Sequence, residues 1–159
     1  MTILIFFLCA IIGSLYYPQD IIDEFTQVQE TVISQDGFFI FLRLFLQNTF
    51  VCLLLAFGGL FLAIPTVIIL GFNGVIQGIL FRFFSEQIGL FQVLLYIAPH
   101  GVFELTAFFL SASWGLYMGI EHKQSLFRKK ALKTARFFLY MIPLLFLAAI
   151  IETVLILVL

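Results

Sequence analysis

Charge is what this chain has least of. Only 11% of its 159 residues are Asp, Glu, Lys or Arg, against about 25% in an ordinary water-soluble domain. That shortage excludes a soluble globular fold. There are two histidines, one tryptophan and two cysteines. Cys9 and Cys52 are far from any Cys-x-x-Cys spacing, so a disulfide framework is not expected and buried thiols of no special role are. No Ser-His-Asp set, P-loop or dinucleotide fingerprint is present. The N-terminus lacks a basic region and an Ala-x-Ala site, so it does not read as a signal peptide.

What is abundant is apolar bulk: 63% of residues are hydrophobic and 22 are Phe. In lipid, long apolar runs satisfy their backbone groups as helices. The short alternating segments of a membrane barrel are missing. The expectation is an all-α polytopic bundle, a single integral membrane domain over residues 1–159. Five spans are expected, at about 2–17, 48–70, 75–98, 100–120 and 137–158.

Between those spans the two signs of charge are segregated. Six of the eight Lys and Arg residues lie between Lys123 and Arg136. This marks the cytoplasmic side, with the N-terminus inside and the C-terminus outside a cell membrane. Leu126, Phe127, Ala131 and Leu132 alternate with the basic residues, the pattern of an in-plane amphipathic helix held by anionic lipid. The positive-inside rule explains that cluster without nucleic-acid binding. Five acids (Asp20, Asp23, Glu24, Glu30 and Asp36) lie in the stretch 18–37. There Ile21, Phe25 and Val28 suggest a short helix on the outer surface.

Within the spans the punctuation is specific. Phe38 to Gln47 reads as an interfacial lead-in or an over-long helix start, with Arg43 snorkelling. Gly58, Gly59 and Pro65 fall inside the second span, where Pro65 should bend it. Gly71-Phe72-Asn73-Gly74 reads as a tight turn. The third span carries Arg82 and Glu86, four apart and able to pair, with a cavity-lining role shared with Asn48 as the alternative. A break near Ser85 to Gly89 is a second way to read that span. Pro99 is expected to open the fourth span. Along its face run Glu104, Ala107, Ser111, Gly115 and Gly119, and the small residues form a seam for close helix packing.

His100 and Glu104 are four apart on one face. Glu152 lies in the last span at a compatible depth, so all three are expected to meet in the outer leaflet. A carboxylate in lipid costs about 2.5–3.5 kcal/mol on insertion scales. Each glutamate must therefore be protonated, paired, ligated to a metal or hydrated. Two carboxylates sharing a proton, or an imidazole and two carboxylates holding zinc or another divalent ion, are both physically sound. A structural role in capping and turn packing is the plainer reading of the same residues.

The chain resembles the stage II sporulation protein M family of integral membrane proteins over roughly residues 40–157. The resemblance is carried by Asn48, by Asn73-Gly74 with Gly78, by Pro99-His100-Gly101-x-x-Glu104-Leu105-x-Ala107, and by Glu152 in the last span. It implies a multi-span protein of the envelope machinery that remodels peptidoglycan during engulfment, a scaffold beside a separate cell-wall hydrolase. Relatives also occur in organisms that do not sporulate. It further implies that His100, Glu104 and Glu152 work together. Three functions are open: a scaffold or assembly subunit that self-associates or joins other envelope membrane proteins; a divalent-ion-binding transporter; and a metal-dependent membrane hydrolase.

Overall fold

The computed structural model describes residues 1–16, 18, 22–23, 26–27, 36–120 and 127–158, with 127–128 described by backbone alone. Most of the acidic stretch 18–37, and the start of the basic connector, lie outside these residues.

Among the described residues the chain is all-helical. Its helices are α1 (Thr2–Leu15), α2 (Gly37–Phe57), α3 (Ile64–Ile88), α4 (Leu90–Ile120), α5 (Phe127–Leu139) and α6 (Ile142–Val158), with a single 3-10 turn at Gly58–Phe61 after α2. Three stretches are long and apolar enough to cross a membrane: Gly37–Phe61, Ile64–Ile88 and Leu90–Ile120. A fourth arises if Lys129–Leu139 and Ile142–Val158, bent by 41°, form one span; Thr2–Leu15 is a shorter apolar helix. This is a multi-span membrane bundle. Its outer surface is correspondingly apolar, with Leu15, Phe91 and Val158 more than two-thirds exposed. Such a surface is an aggregation hazard in water and suits a lipid solvent.

The expected helix ends need correction at three places. First, Asn73 and Gly74 do not make a turn. Both lie inside α3, where the Asn73 side-chain amide donates to the Ile69 carbonyl at 2.8 Å. The amide is satisfied within the helix, and Gly74 is needed for packing rather than for a positive φ. The chain reverses instead at residues 58–63, through the 3-10 turn and the left-handed Leu62 and Ala63 (φ 57° and 60°). Second, Pro65 does not bend a span. It sits in the first turn of α3, where a missing N–H costs nothing. Third, Pro99 does not open a helix but lies inside α4. The break falls at Gly89 (φ 89°, ψ 148°), whose N–H closes α3 on Ser85 and whose carbonyl accepts from Val93. That backbone conformation is essentially reserved for glycine. A proline in a membrane helix forfeits one hydrogen bond and is commonly tolerated. Of the two breakers in this stretch, the glycine stops the helix. Phe38 to Gln47 is the over-long helix start, since α2 begins at Gly37.

Two sets of small residues bring the helices together. On α3, Gly74 and Gly78 are buried against α1: a Cβ on Gly74 would strike Cys9 and the Phe6 carbonyl, and one on Gly78 would strike the Ala10 carbonyl. On α4, a Cβ on Gly115 would meet the Leu55 carbonyl and Thr66, and one on Gly119 would meet Ala63. Ala107, Ser111 and Ala112 are fully buried beside them. The small-residue seam of α4 is thus present as the spacing indicates. Phe6 packs edge-on to Phe108 and Phe109 at 5.5 and 5.2 Å, and Phe41 and Phe45 pack edge-on to Phe146. These contacts join α1 to α4 and α2 to α6.

The basic helix α5 docks on the end of α4. Trp114 stacks on Phe137 at 4.5 Å and donates to the Thr134 hydroxyl. Lys130 Nζ donates to the Met118 carbonyl, one of the carbonyls a helix C-terminus leaves open. Lys129, Lys133 and Arg136 stay exposed on the other side.

Candidate functional site

α4 passes through the middle of the bundle, in contact with α1, α2, α3 and α6. Its residues 100 and 104 lie one helical turn apart and face α6. From α6, Glu152 projects toward them. His100, Glu104 and Glu152 each bring one nitrogen or oxygen to a common point, and these atoms all lie within 4.8 Å of one another. Each side chain is half-buried. Residues separated by half a hundred positions are gathered by helix packing into one cluster.

The cluster is not internally satisfied. His100 Nδ1 and Glu152 Oε2 are buried without a hydrogen-bond partner. A buried polar atom left unpaired costs about 1–3 kcal/mol, and a cation bound here would give both atoms a partner. The donor set suits a divalent cation: neutral imidazole nitrogen and carboxylate oxygen are ligands for zinc and its neighbours. A cation would also compensate the two carboxylates. The His/Glu/Glu cluster can therefore coordinate a metal, with His100 and Glu104 from α4 and Glu152 from α6.

Other sequence candidates fall elsewhere. Arg82 and Glu86 form an ion pair at 2.8 Å near the end of α3, about half exposed to solvent or headgroups. Arg82 Nη1 also donates to the Ser14 carbonyl at the end of α1. This is the internal pair the spacing indicates, and it serves as a tie between two helices. Asn48 is half-buried on α2. None of these three belongs to the ligand cluster. Pro99 is exposed, and Gly101 is buried against its own helix, with Ile97 the nearest side chain. On α2, Cys52 is a buried free thiol in an apolar helix.

A family model described as SpoIIM, Stage II sporulation protein M, matches residues 2–155. The match covers nearly the whole chain, including α1, which the sequence resemblance leaves out. The chain belongs to this family of membrane proteins. No curated protein gives a significant match, and no solved structure does.

Proposed function

We propose that this member of the stage II sporulation protein M family is an integral membrane scaffold of the cell envelope whose helix arrangement is fastened by a divalent metal, zinc by ligand type, held by His100, Glu104 and Glu152. The observation that carries the metal is the convergence of three ligand atoms within 4.8 Å, two of them on groups with buried, unpartnered atoms. The metal would clamp α6 to α4, and α6 is otherwise attached there by apolar packing around Leu145, Ala148 and Ala149.

The whole chain is one integral membrane domain, crossing five times by α1, α2, α3, α4 and α6. The basic face of α5 sets the orientation. The N-terminus and residues 58–63 are then cytoplasmic, while Gly89 and the C-terminus are outside. The metal cluster lies in the outer leaflet. Self-association or assembly with other envelope membrane proteins would use the lipid-facing surface. A cation held by three side chains keeps a position for water, which leaves a hydrolase as the second reading.

The test is metal analysis of the purified protein and of its E104Q and H100A variants. The expected result is one zinc per chain in the parent and none in either variant. A parent with no metal, or variants that keep it, would remove the clamp.

A further inference from the structure

The basic residues of α5 form one cluster in sequence, and the structure divides them. Lys130 points into the bundle, where its Nζ donates to the Met118 carbonyl at 3.2 Å near the open end of α4. Thr134 and Phe138, four and eight residues on, are buried on the same side. Phe137 lies beside them, stacked on Trp114 at 4.5 Å. The opposite side carries Lys129, Lys133 and Arg136, all three exposed. At 3.6 residues per turn they span an arc of about 60°, a single stripe along the helix. Among the described residues none of the three is in an ion pair, and α5 itself holds no acid.

The flanks of the stripe set its depth. Leu132 and Leu139 lie beside it, 54% and 64% exposed, a surface that suits acyl chains rather than water. Tyr140 at its foot and Tyr117 on α4 are exposed as well, as tyrosines are at a membrane–water boundary. Lys129–Leu139 and Ile142–Val158 are apolar enough to cross as one bent pair. Together they run about 45 Å against about 30 Å of hydrocarbon. With the apolar α6 in the hydrocarbon, the stripe on α5 falls in the headgroup layer.

We propose that Lys129, Lys133 and Arg136 form a binding site for the phosphate of an anionic phospholipid from the surrounding bilayer, with that lipid's chains along Leu132 and Leu139. Three cations without carboxylate partners favour a headgroup of net negative charge over a zwitterionic one, which brings a cation of its own. The guanidinium fork of Arg136 matches phosphate oxygens. Lys130 takes no part, because its ammonium is committed to α4. The positive-inside rule counts all four residues alike, so this division is what the tertiary structure adds.

Native mass spectrometry of the detergent-purified full chain, titrated with phosphatidylglycerol or with phosphatidylcholine of matched chains, tests the site. Each cation near a headgroup contributes about five-fold in affinity. The parent should therefore bind the first phosphatidylglycerol at least about ten-fold more tightly than phosphatidylcholine. K129Q/K133Q/R136Q should bind the two lipids alike, R136Q alone should lose about five-fold, and K130Q and K129R/K133R should keep the parental preference. The chain has one tryptophan, and it stacks on α5, so an unchanged Trp114 emission maximum shows that the helix is still docked in each variant. A parent without lipid preference would overturn the proposal, as would a triple variant that keeps it. Equal losses in K130Q and R136Q would also overturn it, because the cluster would then act as undivided charge. A parent indifferent to the two lipids that binds a single-stranded oligonucleotide through the same three residues would assign the stripe to nucleic acid and refute the lipid site.

Discussion

Glu104 and Glu152 sit on different helices and direct carboxylate oxygens to one point, within 4.8 Å of each other and of a His100 nitrogen. Two such groups are costly together in a membrane interior unless a proton or a cation stands between them.

That relationship predicts a ligand-linked stability. With zinc at about one hundred times its dissociation constant, the parent should gain about 2.7 kcal/mol. Thermal unfolding in detergent, with and without zinc, measures it. E152Q should lose the zinc-dependent increment while retaining the zinc-free midpoint to within a few degrees, since an amide fills the same space.

Glycines that look alike in sequence should differ in effect. A methyl group on Gly78 would run into the Ala10 carbonyl, whereas Gly71 has only the Cys9 sulfur nearby, at 3.5 Å. G78A should destabilise by about 1–3 kcal/mol, the range for overpacking a close contact. G71A should lie within about 0.5 kcal/mol of the parent, as substitutions with room usually do. Unfolding midpoints of the two variants, read side by side, check this.

The two helix breakers Gly89 and Pro99 should separate in the same way. Gly89 holds φ 89°, and G89A should cost about 1–3 kcal/mol in backbone strain. Pro99 lies within a helix, and P99A restores a backbone donor there, so it should be neutral or stabilising. Loss of folded protein in P99A, with G89A unaffected, would put the turn back at the proline.

The Arg82–Glu86 pair is half exposed, so E86Q should change stability by less than about 0.5 kcal/mol. R82A should cost more, about 1 kcal/mol, because it also removes the hydrogen bond to the Ser14 carbonyl that ties α3 to α1. Limited proteolysis of α1 in the two variants is the sharper readout, with faster cleavage in R82A.

The amino-acid order alone determined that this is a helical membrane protein, because so few charges leave no other solvent for its surface. It also determined that His100 and Glu104 share a face and that Ser111, Gly115 and Gly119 form a packing seam, since both follow from the helical repeat. Local breaker rules went astray at Asn73-Gly74 and Pro99, where lipid and close neighbours tolerate residues that end helices in water, and at Pro65, which starts a helix instead of bending one. The tertiary structure decided what distance along the chain conceals. It moved the reversals to residues 58–63 and to Gly89, set α1 on the glycine face of α3, and brought Glu152 to His100 and Glu104. The physical reason is that helix periodicity fixes only which side a residue occupies, while the partner of that side is chosen by how whole helices fit against one another.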